Sequence, residues 1–385
     1  MFQLGAFLGR TEPVVVSRTC TPEKEKLPES PLTTICTVVS KVQIMQNRSE
    51  HSKLIASLSS FLALVPNTHV MLLSEDPEVC DFAGTAFSGT RCVDIRKCTH
   101  NRFNRPAMPC VFDIILAQSE TEDVVFVNSD VILFKDFLYS LSMARSFEKY
   151  VMVGRRINFY GDIDQGTLSD LKCEAIRNGK QDGDHAIDYF AFRKGDFPLF
   201  DTPYIVGNWR WDNVLLANFY KRRDVFVIDA SETVTAIHQS NNERELTSSD
   251  RRGRVAGLYN DELARKYDRA FLAGTISYAS VILRGLHGQI IVDWSQRRGS
   301  DIVRCIIEEG RYEQVHGALA ELSQEFPLLH GLGRVKMRKS CLSTLHIYVK
   351  RLQRFRLLLR FVRALSFGSL PLKSNFQEHI NMGFQ

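Results

Sequence analysis

Several features are scarce in this chain of 385 residues, and each scarcity excludes something. No stretch approaches roughly 18 uninterrupted apolar residues, so no transmembrane helix is expected. The start, MFQLGAFLGRTEPVVV, lacks the apolar core of a signal peptide and meets Glu12 and Pro13 early. Nine cysteines are scattered without a C-x-x-C pair, which argues against a zinc site. Their odd count and scattered positions read as mostly buried thiols in a reducing compartment. No acidic residue occurs between Glu325 and Glu378, whereas eleven Lys and Arg residues fall there, from Arg334 to Lys373. The net charge of +5 is therefore concentrated in a tail, and the remainder of the chain is acidic. Hydrophobic content of 44% and charged content of 24% suit a globular protein with a large core plus an appendage.

The chain reads in order as alternating strands and helices. Residues 1–31 predict a poorly ordered lead, rich in Thr, Pro, Glu and Lys. Residues 33–40 predict a strand. Leu54, Ile55, Leu58, Phe61, Leu62 and Val65 then recur at helical spacing, predicting an amphipathic helix over 50–65. Asn47-Arg48-Ser49 fits the glycosylation pattern, and Asn47 with Glu50 also reads as a helix cap. His69 to Leu73 predicts a second strand, and Val93 with Ile95 a short third. A helix over 111–118 follows the polar loop HNRFNRPAMPC. Further strands are predicted at 151–154, 186–192, 225–228 and 233–237, with a helix over 211–220 and a short helix and loop within 160–185. The domain so defined runs over 32–295, and 296–385 form a helical, basic C-terminal extension.

The chain is organised around residues 123–134, DVVFVNSDVILF. Val124 to Val127 form a short apolar run rich in β-branched residues, as in a strand buried on both faces of a parallel sheet. The run breaks at Asn128-Ser129-Asp130, and polar groups at the carboxyl end of such a strand sit where open α/β sheets bind ligands. If the chain bends there, Asn128 and Asp130 can hold one hard cation and a diphosphate. Asn-Ser-Asp is equally good turn chemistry.

An ordered set follows: VNSDVIL, VGRR, AIDYFAF, VGNWRWDNVLL, VIDAS and TAIHQS. This set resembles a group of glycosyltransferase-like proteins with the GT-A, nucleotide-diphospho-sugar transferase fold. The resemblance covers roughly residues 33–290, with NDELARKYDRAF and Gly274 similar to that family's tail. It implies a Rossmann-like mixed sheet flanked by helices. It also implies a metal-dependent hexosyl- or pentosyltransferase that uses a nucleotide-sugar donor. The motif is DxD-like, but Asn128 stands where that family carries the first Asp, keeping an oxygen and losing a charge.

Transfer from such a donor expels a diphosphate, whose growing charge a divalent ion and arginines can stabilise. Asp130 is the candidate metal ligand. His238 matches a position where these enzymes supply a further ligand, and imidazole suits manganese better than magnesium; a hydrogen-bonded structural histidine is the other reading. Ser40, Asp76, Arg105, Asn128, Ser129, Arg155 and Arg156 are candidates for binding the nucleotide sugar, the arginines reading otherwise as solvated side chains. Asp212 is the candidate general base or a helix cap; Asp188 is the second catalytic candidate, the base if Asp212 is not, and otherwise binds hydroxyls of donor or acceptor or closes a strand end. Trp209, Trp211 and Asn213 are candidates for the acceptor side, the tryptophans serving otherwise as core. The acceptor is a glycan, a protein or a small molecule.

Two other functions compete. A nucleotidyltransferase would carry a Gly-rich loop after its first strand, and SKVQIMQNRSE there contains no glycine. A catalytically weak or inactive nucleotide-binding protein would keep the fold, as Asn128 allows. The tail predicts a helical hairpin over 301–325 and, over 341–367, a basic amphipathic helix that suits an anionic membrane surface or a calmodulin-like partner, or else docks on the domain with its arginines outward. No nucleic-acid partner is expected. A cytoplasmic location is expected from the absent leader and span, and a Golgi one if the amino terminus is incomplete.

Overall fold

A computed structural model of the chain describes residues 32–40, 48–64, 68–98, 105–161, 167–199, 201–206, 210–239, 250–267, 274–286 and 289–294. The chain divides into two compact units, Met1–His316 and Gly317–Gln385, and every described residue lies in the first. The lead, the hairpin at 301–325 and the basic helix at 341–367 lie outside the described residues.

The first elements are β1 (Thr33–Val38), α1 (Arg48–Leu62), β2 (Thr68–Ser74), α2 (Pro77–Ala86), β3 (Thr90–Asp94), α3 (Met108–Gln118) and β4 (Asp123–Val127). After a turn come β5 (Val131–Leu133), α4 (Asp136–Ala144), β6 (Tyr150–Arg155), β7 (Ile157–Phe159), α5 (Leu168–Asn178), β8 (Lys180–Gln181) and β9 (Ile187–Arg193). The rest are α6 (Trp211–Lys221), β10 (Phe226–Asp229), β11 (Ala236–Gln239), α7 (Asp250–Tyr267), β12 (Val281–Leu286) and β13 (Gln289–Asp293).

Among the described residues, nine strands form one mixed sheet in the order β13-β12-β10-β6-β9-β4-β1-β2-β3. β1 pairs in parallel with β2 and β4, as does β2 with β3 and β10 with β6 and β12. β9 is antiparallel to both of its neighbours, β4 and β6. Helices cover both faces, so the fold is the Rossmann-like mixed α/β sheet that the sequence predicts. β4 shows why. Val124 and Phe126 enter one core with Phe112 of α3 and Phe219 of α6, while Val125 and Val127 enter the other with Leu58 of α1 and Phe137 of α4. A strand buried on both sides can be apolar at every position.

The chain bends after β4. Val131 N–H donates to the Asn128 carbonyl at 3.2 Å, and β5 leaves the main sheet to pair antiparallel with β11. A smaller sheet results, ordered β5-β11-β7-β8 among the described residues. Its Ile132, Phe159 and Ile237 pack against Leu171 and Ala175 of α5. That helix starts in a capping box: the Thr167 hydroxyl accepts the Asp170 N–H at 3.2 Å, and Asp170 accepts the Thr167 N–H at 3.0 Å.

Two helices go beyond the sequence reading. In α2, Pro77 occupies the first turn and Val79 and Ala83, four apart, are buried. In α4, Phe137, Leu138, Leu141 and Ala144 face the core. The cysteines require a correction. Cys80 pairs with Cys92 and Cys98 with Cys110, each across 12 residues, so these four are not the free buried thiols expected. Cys36 and Cys173 lie outside both disulfides, and burial pushes the Cys36 thiol far up.

Candidate functional site

The carboxyl ends of β1, β2 and β4 share one edge of the parallel sheet, and the turn Asn128-Ser129-Asp130 lies on that edge. In the small sheet His238 of β11 stands opposite Val131. This register brings His238 Nε2 to 3.2 Å from Asp130 Oδ2. The Asp130 side chain stays 35% accessible and that of His238 20%, so the pair is open to a ligand. Burial alone would raise the Asp130 carboxyl, but the adjacent His238 imidazole together with the Arg156 charge and a backbone N–H holds the carboxyl below its ordinary value. Burial likewise opposes an imidazolium at His238, and the Asp130 carboxylate overcomes this and raises its pKa.

Gln239, next along β11, fixes the turn from behind. Its N–H donates to the Asp130 carbonyl at 3.1 Å. Its buried side-chain amide donates to the same carbonyl at 3.2 Å, to Lys53 O at 3.0 Å and to Ser57 Oγ at 2.8 Å. Thus α1 and the Asp130 turn are tied through one residue, at strand positions where only the tertiary partners reveal the role.

Asp188, near the start of β9, is buried and heavily engaged. It accepts from Asn128 Nδ2 at 2.8 Å and from Arg156 Nη1 at 2.9 and 3.2 Å. Arg156 also reaches Asp182 at 3.0 Å. The sequence reading offers Arg156 to phosphate and Asp188 to sugar hydroxyls; the structure instead commits each to the other. Arg155 lies beside Ser231, whose hydroxyl accepts its N–H at 2.8 Å, and its charge acts on the half-buried Asp229.

Asp212 is the second residue of α6, half-buried, and its Oδ1 accepts the Asn213 N–H at 2.9 Å. The cap position belongs to Arg210, so the helix-cap reading of Asp212 does not hold. Arg210 has φ of 79°, a left-handed conformation costing of order 1–3 kcal/mol in a non-glycine residue, and such outliers gather at functional sites. Its guanidinium is held by Asp261 of α7 at 2.9 Å. Burial pushes the Asp212 carboxyl up to about 7; Asp188 adds to the rise, while the Asn213 N–H and Arg156 oppose it. Arg156 acts on the charge of Asp212, Asp130 and His238, and Asp188 on that of Asp212 and His238, which links the five residues into one charge cluster.

The acceptor side needs correcting. Trp211 is 2% exposed and lies 5.2 Å from Phe126 and 5.7 Å from Phe190, ring centre to ring centre, so it is core and offers no face. Buried Asn213 donates to His185 O at 3.1 Å and Gly274 O at 2.9 Å, which spends its amide on two loops. A Cβ at Gly274 would come within 1.8 Å of the Asn213 carbonyl oxygen, so glycine is required at that approach. Trp209 lies outside the described residues. Ser40 follows β1 and Asp76 precedes α2, both half-buried on the edge that carries Asp130; Arg105 is exposed ahead of α3.

Among the described residues no group of three or more His, Cys, Asp or Glu side chains is gathered around a metal position. Two protein donors still suit a hard cation that takes its other ligands from phosphate and water. Adjacent corners of an octahedron with bonds of about 2.1 Å lie about 3 Å apart, near the 3.2 Å between His238 Nε2 and Asp130 Oδ2.

No family model and no curated protein sequence matches the chain. Solved structures superpose loosely. TarS from S. aureus matches at a TM-score of 0.34 and 10% identity, over 61% of this chain and 42% of TarS, so the chain spans under half of it. TarS 1–349 in complex with UDP gives 0.39 and 12%, over 77% of this chain and 73% of that one. Glucosyl-3-phosphoglycerate synthase from Mycobacterium tuberculosis, in complex with phosphoglyceric acid, gives 0.36 and 14%, over 64% and 80%. Superpositions this loose fix neither activity nor substrate for this chain.

Proposed function

We propose that the chain is a GT-A-type glycosyltransferase. It moves a hexosyl or pentosyl group from a nucleotide-diphosphate sugar to a hydroxyl of a glycan, protein or small-molecule acceptor. One observation carries the proposal. At the carboxyl edge of parallel strands, Asp130 and His238 stand 3.2 Å apart in the same charge cluster as Asp212, a carboxylate raised to about 7. Asp130 and His238 would hold a divalent cation, manganese before magnesium because of the imidazole. When bound, that cation offsets the charge that grows on the departing diphosphate.

The chain's own residues supply the rest. Asp212, poised near neutrality, takes the proton from the acceptor hydroxyl as the bond to the sugar forms. A base in this role favours direct displacement and inversion of the anomeric centre. Arg156 and Asp188 keep the turn and the start of β9 in register. The Cys80–Cys92 and Cys98–Cys110 disulfides support residence in an oxidising compartment rather than the cytoplasm.

A panel of nucleotide sugars, with and without manganese, tests the proposal by thermal shift and donor hydrolysis. Stabilisation and hydrolysis by one donor only with manganese is the expected result. Binding without turnover over any acceptor would instead favour a non-catalytic nucleotide-binding protein.

A further inference from the structure

The departure of the turn from two aspartates has a partner elsewhere in the chain. Asn128 Nδ2 donates to Asp188 Oδ1 at 2.8 Å, and the Asn128 N–H donates to the Asp188 carbonyl at 3.0 Å. Asp188 is only 4% exposed. Its second oxygen and its first both face Arg156 Nη1, at 2.9 and 3.2 Å. Arg156 is already shared with Asp182, whose Oδ2 also accepts from Asn158 Nδ2 at 2.9 Å. This bridge crosses from the end of β4 to the residue after β6, to β7 and to the residues before β9.

A carboxylate at position 128 would stand about 2.8 Å from a buried carboxylate oxygen, with no arginine left to itself between them. One of the two would then have to hold a proton, or the pair would part. A neutral side chain with an N–H donor is what this position requires. Serine lacks the reach of the amide, and glutamine is longer by one methylene.

We infer that Asn128 is a positioning residue, and that the buried carboxylate of Asp188, on the neighbouring strand, anchors it and through it the turn that carries Asp130. Asn128 couples the Asp188 carboxylate of β9 to the turn that aims Asp130. The inference rests on the nucleotide-sugar reading only for its binding consequence; the pairing itself stands on the hydrogen bonds. It carries a counterintuitive outcome, since a second aspartate in the turn should impair the site.

The test is a double-mutant cycle on the full chain with Asn128→Asp, Asp188→Asn and the double variant. Melting temperature and manganese-dependent UDP affinity are both read. Asn128→Asp is expected to melt lower and to bind manganese–UDP at least tenfold more weakly, and Asp188→Asn likewise. The double variant should recover most of both losses. The amide introduced at 188 keeps an oxygen for Arg156 and turns its NH2 toward the carboxylate introduced at 128. Leu283→Ala in β12, buried and four places from β4 in the sheet order, sets the control: it lowers the melting temperature and leaves manganese–UDP affinity unchanged. If Asn128→Asp does not fold, Asn128→Ala removes the donor without adding charge and should still weaken manganese–UDP binding beyond that control. Asn128→Asp binding manganese–UDP as tightly as the wild type, or more tightly, overturns the inference. So do additive melting losses in the double variant. If the wild type takes up no UDP at all, the nucleotide-sugar reading fails, and the melting cycle alone still decides the pairing.

Discussion

Asp212→Asn separates catalysis from helix structure because its expected effects have opposite signs. The folded-state pKa of Asp212 is raised to about 7 from an ordinary 3.8. A raised carboxyl pKa means that the folded chain holds the proton more tightly than the unfolded chain. Ionised Asp212 therefore costs stability, by an amount that grows as pH rises from about 4 and levels off above about 7. At about 1.4 kcal/mol per pKa unit the ceiling is about 4 kcal/mol, and partial exposure reduces this to about 1–2 kcal/mol. Losing a negative charge in the first turn of α6 gives back about 0.3–1 kcal/mol. The net expectation is that Asp212→Asn melts a few degrees higher at pH 8, with a smaller gain at pH 5. Transfer should fall about 10²–10⁴-fold, as for loss of a general base, with UDP affinity unchanged. The wild-type rate should rise with pH through about 7, as the carboxylate form is populated. Paired melting curves at the two pH values and turnover of the donor chosen by the panel check this. Wild-type turnover in the variant, or a melting gain independent of pH, would refute the reasoning.

Two further outcomes follow from the packing. Gln239→Leu removes the amide that Lys53 O, Ser57 Oγ and Asp130 O share, so it should cost about 1–3 kcal/mol and weaken manganese-dependent UDP binding; denaturant melts and calorimetry read the two effects, and intact UDP binding would remove Gln239 from the support of the turn. Peptide mapping without reduction should recover Cys80 linked to Cys92 and Cys98 to Cys110. Replacing one pair by serine should then lower stability by about 3 kcal/mol for a loop of that length, and an unchanged melt would count against the pairing.

Much of the scaffold was legible because its signals are local. A run such as Val124 to Val127 has few options besides a doubly buried strand, and its two cores confirm the reason. The alternation in Ala186 to Phe192 located β9, although its antiparallel place between β4 and β6 depends on partners far along the chain. The proximity of Asp130 and His238 was accessible only through the ordered set of motifs, since 108 positions separate them. Other features left no trace. Arg156 reads the same whether it meets phosphate or Asp188, and Trp211 the same whether it stacks on a sugar or fills the core beside Phe126. Even spacing of Cys80–Cys92 and Cys98–Cys110 carries no pairing information by itself. The helix α2 escaped because its apolar face is short, with only Val79 and Ala83 buried within it.

The most direct measurement of the central claim is calorimetry of UDP on the full chain with manganese, with a chelator, and with manganese after Asp130→Ala or His238→Ala. The cation site at the β4 turn predicts UDP binding with manganese, its loss with chelator, and at least tenfold weakening in each variant whose melting curve stays close to the wild type. UDP affinity that is the same in all of these conditions would contradict it.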